Sequence, residues 1–232
     1  MWMVVAYFPH SNIPVLLPTV RAERFWYFPV IGSSLAIAAC FTWLYQVTKK
    51  WWHGSIAVGL CVAFVTFQAG RARTHALHYA DDLVFWDATR KSVPNSSKAH
   101  LNYSVMWGAR GRLDIRLYAN RDALKLAPKW PMAHVYLGDT LCRLHRPDEA
   151  WPHYKDGFEL APGDPNLIAL ALQCLYDESS LEKHRTELVE LANKHPGSWL
   201  AYLANDTLNN AAKNKGVDPK YRPRGYNEGP KE

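Results

Sequence analysis

Four cysteines in 232 residues, none in a CxxC pair, exclude a dense disulfide framework and a zinc ribbon. Cys40 and Cys61 lie in apolar segments, and Cys142 and Cys174 on helices of the repeat described below. All four are expected as small buried hydrophobes that say little about redox compartment. The chain has no GxSxG, no Walker-type loop and no dinucleotide fingerprint. Asp114, Asp148 and Glu149 fall at expected helix starts, where acids favour the dipole, and no paired-carboxylate site emerges. The net charge is +6, and residues 213–232 carry six Lys/Arg against three acids, half of that excess. Such a tail suits solvent or an anionic lipid surface. No basic helix interleaved with aromatics is present, so no nucleic-acid partner is expected. The first apolar stretch also lacks a basic start and a small-residue cleavage site, which argues against a cleaved signal peptide.

What is abundant is apolar and aromatic residues, crowded into the first 70 positions. Met1 to Phe8 is apolar until Pro9, too short for the roughly 20 residues of a membrane span. It reads as the end of a spanning helix or as an interfacial anchor. Ile13 to Val20, broken by Pro14 and Pro18, reads as a loop at the bilayer surface. Phe28 to Val47 has no charge and is flanked by Phe25, Trp26 and Tyr27 on one side and Trp43 and Tyr45 on the other. Those are the marks of a span with aromatic belts. Lys49, Lys50, Trp51, Trp52 and His53 form an interfacial loop, and Ser55 to Ala69 a second span. The expectation is a transmembrane helical hairpin over 28–70, preceded by an interfacial segment over 1–27.

Pro94, Pro128, Pro162 and Pro196 stand 34 residues apart each time. A fixed period of that length marks a helical repeat array, and the spacing resembles the tetratricopeptide repeat. In the best copy, Pro131 to Asp164, the small residues Gly138, Ala150 and Gly157 fall where two helices approach closely. Leu137, Leu141 and Tyr154 fill the seam, and Pro162 stops the second helix. The fold class expected is therefore all-α, a hairpin followed by a short tetratricopeptide-repeat solenoid. A connecting helix and partial repeat occupy 71–96. Three repeats starting at Ser97, Pro131 and Pro165, with a capping helix, occupy 97–213, and a basic flexible tail occupies 214–232. The first repeat has Arg116 and Asn120 where Ala and Tyr are usual. The third has His184 at the Ala position.

Ser11-Asn12-Ile13-Pro14 and the run from Arg21 to Gly32 (Arg21-Ala22-Glu23-Arg24-Phe25-Trp26-Tyr27-Phe28-Pro29) resemble a late segment of the transmembrane and tetratricopeptide-repeat O-mannosyltransferases and their bacterial relatives. The order of loop, two spans, helix and repeats is similar as well, so the resemblance implies the C-terminal part of such a protein. The family's acidic residue in an early extracytoplasmic loop has no counterpart here, so no catalytic residue is carried over. Arg21 and Arg24 are candidates for a lipid phosphate, or for headgroups that fix the hairpin's depth.

By the same resemblance, the first helix of each repeat lines a protein-binding groove. It comprises Lys98, Leu101, Val105, Gly108 and Ala109; Met132, Val135, Asp139, Cys142 and Arg143; and Asn166, Ala169, Gln173, Tyr176 and Asp177. That face suits a peptide or protein segment, or packing against the chain's own membrane complex. His75 and His78, with Asp81 and Asp82, are weak metal candidates without visible partners, and His134, His145 and His153 look scattered. No metal and no cofactor is expected. Sequons occur at Asn95, Asn102 and Asn205. Counting Lys49 and Lys50 against Arg21, Arg24, Arg71 and Arg73 puts the repeats in the cytoplasm, while the resemblance puts them in the lumen or periplasm; the latter is preferred. The expectation is an integral membrane scaffold or accessory subunit. It binds other membrane subunits through its spans and a protein or peptide through its repeats. The alternative is a piece of a lipid-phosphate-sugar-dependent O-glycosyltransferase.

Overall fold

The computed structural model of the chain describes residues 27–47 and 51–222. The segment from Met1 to Phe8, the loop before the first helix, Arg21 and Arg24 lie outside the described residues. Ten helices and no strand occur among the described residues, so the fold is all-α. They are α1 Tyr27–Val47, α2 Trp51–Leu77, α3 Asp82–Ser92, α4 Ser97–Ala109, α5 Leu113–Leu126, α6 Pro131–Arg143, α7 Pro147–Leu160, α8 Pro165–Asp177, α9 Arg185–Lys194 and α10 Trp199–Ala211. The chain divides into two compact units, residues 1–75 and 76–232.

In the first unit, α1 carries no charged side chain over its 21 residues. Within α2, Gly54–Leu77 is long and apolar enough to cross a membrane, 24 residues with mean hydropathy 1.4. Val58, Leu60, Val62, Val65 and Phe67 of α2 are all exposed, as are Ile31, Leu35 and Val47 of α1. A helix that is apolar on all sides has no use for water as its surroundings. Cys40 and Cys61 are exposed on these helices, so the expectation of buried hydrophobes fails for both.

The expected helix through residues 71–91 is interrupted. Asp81 turns the chain by accepting hydrogen bonds from the amides of Leu83 (2.7 Å) and Val84, which caps α3. An N-cap residue must leave helical geometry to do this, so α2 ends before it. Arg110 at the end of α4 holds the same carboxylate through both oxygens.

Beyond that point the period seen in the sequence is the period of the fold. Helices α4, α6, α8 and α10 begin at 97, 131, 165 and 199, a constant step of 34. Local chemistry fixes each start. Ser96, Asp164 and Ser198 cap with their side chains, while α6, α7 and α8 place proline in the first turn, where no N–H is needed. The second helices α5 and α7 begin at 113 and 147, again 34 apart. The third, α9, starts late at Arg185. Ser179 (φ 54°) takes the same left-handed turn as His145 and Gly111 one and two periods earlier. Here, however, the Leu181 amide also bonds the Leu175 carbonyl, and residues 181–184 form a further turn before the helix begins. His184, at the position expected for alanine, then lies buried and stacked on Trp151 at 4.7 Å.

The core runs along the seams between paired helices and includes Val135, Leu137, Tyr154, Phe158, Leu172, Leu175, Leu188, Leu191 and Leu203. In the second repeat α6 and α7 approach so closely that a Cβ on Gly138 would lie 2.7 Å from Cε1 of Tyr154. One period earlier the same two places hold Ser104 and Asn120. There the larger residue at the first is matched by a smaller one at the second, and the Ser104 hydroxyl donates to Oδ1 of Asn120. Asn120 completes itself by donating to Thr140 Oγ1 (2.8 Å) and the Tyr136 carbonyl (2.9 Å) of the next repeat.

Gly138→Ala should destabilise the chain by about 1–3 kcal/mol through overpacking, and Tyr154→Ala by about 3–5 kcal/mol through a cavity. The double variant should lose clearly less than the sum, because removing the ring removes the clash. Thermal unfolding of the detergent-solubilised chain, followed by circular dichroism, checks all three.

Candidate functional site

The first helices α4, α6, α8 and α10 pack in succession, each against the next, along the face where the groove is expected. Of the expected groove residues, Leu101, Val135, Asp139, Cys142, Ala169 and Gln173 are buried and form the floor. Lys98, Ala109, Asn166 and Asp177 are exposed, and Val105, Gly108, Met132, Arg143 and Tyr176 are half-buried. The surface available to a partner is therefore narrower than the sequence pattern suggests.

Asp139 is the charged residue at the centre of this floor. Its side chain is 1% exposed and accepts from Nη2 of Arg116 at 2.6 Å, itself only 7% exposed. Nε of Arg143 reaches both carboxylate oxygens at 3.1 Å. The arginine that breaks the repeat pattern at Arg116 thus reaches from the second helix of one repeat to the first helix of the next.

Cys142 and Cys174 are not free hydrophobes. They form a disulfide between α6 and α8, with Cα atoms 6.3 Å apart. Their separation of 32 residues is two short of the period, so the bridge joins nearly equivalent positions of neighbouring first helices.

The tail does not follow the expectation of flexibility over residues 214–222. Val217 is fully buried, and its amide donates to Oε1 of Gln173 at 3.1 Å. Gln173 is held in turn through Nε2 to Asp177 at 2.7 Å. Gly216 passes so near that a Cβ there would lie 2.8 Å from Gln173 and Tyr176. Nε of Arg222 bonds the Val217 carbonyl at 2.8 Å, and Tyr221 packs edge-on against Trp199 and Tyr202. A cleft of about 670 Å³ remains beside this segment, lined by Tyr176, Asn210, Asn214, Lys215 and Arg222 among others. Residues 223–232 lie outside the described residues.

His134 and His153, expected to be scattered, come together with Asp156. One ring nitrogen of each histidine and a carboxylate oxygen all lie within 4.8 Å of one another. His134 sits in the first turn of α6, and His153 and Asp156 lie one turn apart on α7. Nε2 of His134 lies 2.8 Å from the Pro128 carbonyl, which takes an N–H at that nitrogen. Nδ1 of His134 is 3.5 Å from Asp156 Oδ2, and it and Nδ1 of His153 are buried without a hydrogen-bond partner. Burial lowers the pKa of His153, and the neighbouring His134 lowers it further. His145, by contrast, is exposed and pairs with Glu178 at 3.0 Å. Among the described residues His75 and His78 belong to no such three-ligand group. The signal for the cluster was present in the sequence as His153 and Asp156 three apart, but His134 lies nineteen residues earlier and meets them only through the helix pairing.

No protein-family model matches the chain. Over 147 residues, 62% of its length, the chain is 25% identical to human protein O-mannosyl-transferase TMTC1. It covers 16% of that protein.

Asp139→Ala should cost about 3–5 kcal/mol, because it strands Arg116 in the interior. The double variant Asp139→Leu/Arg116→Met should recover most of that loss, measured by the same unfolding experiment. Reduction of the Cys142–Cys174 bridge should cost about 2–4 kcal/mol, read as a lower melting temperature with reductant that is absent in a Cys142→Ala/Cys174→Ala chain.

Proposed function

We propose that the chain is a membrane-anchored tetratricopeptide-repeat scaffold or accessory subunit that docks protein segments along the inner face of its repeats. The observation that carries this is the seating of residues 214–222. A non-helical stretch, turned at Asn214 and again over residues 218–222, already lies on α8 with the Val217 amide bound to Gln173, as a docked peptide would be held. Met132, Val105 and Tyr176 offer half-buried apolar contact, and Lys98 and Arg143 supply charge. In this reading α1 and α2 form the expected transmembrane hairpin, and their exposed apolar side chains contact lipid and neighbouring subunits. Arg21 and Arg24 contact headgroup phosphates.

The repeats are assigned to the lumen or periplasm. The Cys142–Cys174 disulfide supports this, because such bridges persist in oxidising compartments. So does the similarity to a protein O-mannosyl-transferase, which also favours a second reading. In that reading the chain is the C-terminal portion of a lipid-phosphate-sugar-dependent O-glycosyltransferase whose catalytic groups lie in another part.

A detergent pull-down with quantitative mass spectrometry tests the scaffold. The wild type should bring down a partner near equal stoichiometry, and Met132→Glu/Tyr176→Ala should lose it. An unchanged set of partners in the variant removes the groove from the argument. Turnover of a lipid-linked sugar donor by the purified chain alone would overturn the scaffold reading.

Side assignment has its own reporter. Asn95 lies exposed in a turn, whereas the hydroxyl residues of the other two sequons, Ser104 and Thr207, are buried in helices. Synthesis with eukaryotic microsomes should add a glycan removable by endoglycosidase, abolished by Asn95→Gln and unaffected by Asn205→Gln. An unmodified Asn95 would favour the cytoplasmic side.

A further inference from the structure

The cluster of His134, His153 and Asp156 is a place where acceptors converge without a donor. Because Nε2 of His134 faces the Pro128 carbonyl, the neutral ring presents a lone pair at Nδ1, and that lone pair faces a carboxylate oxygen at 3.5 Å. A lone pair and a carboxylate held side by side repel unless something positive sits between them. That something is either a proton on His134 or a metal ion. His153 brings one ring nitrogen into the same set, and its Nδ1 is buried without a hydrogen-bond partner.

The repeat supplies its own comparison. In the first repeat His100 bonds the Pro94 carbonyl at 2.9 Å, and its Nδ1 lies 3.9 Å from Asp122. These residues stand one period before Pro128, His134 and Asp156. The residue one period before His153 is Ala119, so the first repeat has the pair and the second has a third donor. The pair alone serves packing of the two helices. The added imidazole turns it into a three-ligand set of two nitrogens and one oxygen.

We infer that His134, His153 and Asp156 form a zinc-binding site, with a fourth position open to water or to a side chain of a docked partner. Zinc takes histidine nitrogen and carboxylate oxygen in tetrahedral geometry at about 2.0–2.2 Å, which places ligand atoms roughly 3.4 Å apart. Binding requires the present spread of up to 4.8 Å to close to that by side-chain rotation. Asp156 is half-exposed, 55% for its side chain, which leaves an entry path from solvent. Arg121 also faces His153 and opposes a second positive charge, so the expected affinity is moderate. Bound across α6 and α7, the ion would tie the two helices of the second repeat and present a coordination position at the edge of the stack.

The test uses the full chain in detergent with its purification tag removed. Zinc competition against a chromogenic chelator, and cobalt absorption in the visible range, should both report one site in the wild type. His153→Gln and Asp156→Asn should each weaken it at least about tenfold, and His145→Gln should leave it unchanged. Zinc should also raise the melting temperature of the wild type and not of His153→Gln. Should the wild type bind no zinc at 100-fold excess, or should both ligand variants retain it, the site is disproved. In the first outcome the pocket would be a proton-bridged histidine–carboxylate pair. All variants should keep the wild-type helical circular dichroism. A variant that does not is replaced by His153→Ala, which restores the residue of the first repeat. None of these readouts depends on a docked protein, so the scaffold reading can fail while the zinc site stands.

Discussion

How near the paired helices come to one another is the constraint on which the solenoid depends. At the crossing of α6 and α7 the distance leaves no room for a methyl group against an aromatic ring, so the pair must be chosen together. The second repeat solves this with glycine and tyrosine, the first with serine and asparagine. Both solutions keep the crossing, but they differ in what they ask of the neighbours. Tyr154 fills the seam within its own repeat. Asn120 has polar atoms to satisfy and finds them in Thr140 and the Tyr136 carbonyl, across the boundary to the next repeat. Arg116 and Asp139 cross the same boundary. Departures from the usual repeat residues in the first copy therefore form one polar joint between two copies. A joint that is satisfied only in one register sets the angle between repeats more tightly than apolar contact alone.

The period was legible because it is a property of backbone length. Every first helix starts where a proline or a small hydroxyl or acidic cap stands, and those residues act locally. The late start of α9 and the break before α3 were not legible. The break depends on Asp81 leaving helical geometry. The late start depends on an added turn over residues 181–184, since the left-handed turn at Ser179 is shared with Gly111 and His145. Many sequences allow either choice at such a place.

The first-helix positions were legible as a set, and their exposure was not. Spacing picks out which side chains face inward, but it cannot separate Val135 and Gln173, which lie on the floor, from Met132 and Tyr176, which can be touched. The disulfide and the histidine cluster were hidden for a related reason. Both join residues of different helices, 32 and 19 apart. Their closeness follows from the stacking of neighbouring first helices in one case and the pairing of α6 with α7 in the other, and not from any local signal. The aromatic-rich first unit gave the opposite case, in which composition alone describes the surroundings the helices need.

The hold of residues 216–222 on α8 gives the inner face a threshold. A segment tied to the end of α10 by a few residues revisits its place at a local concentration in the millimolar range. Under the proposed docking role, an outside ligand at that end would either displace this stretch or extend from it along α6 and α4. In the proposed scaffold, short, weak peptides would then be screened out at the third repeat, and selectivity would fall to whatever engages the first two repeats as well.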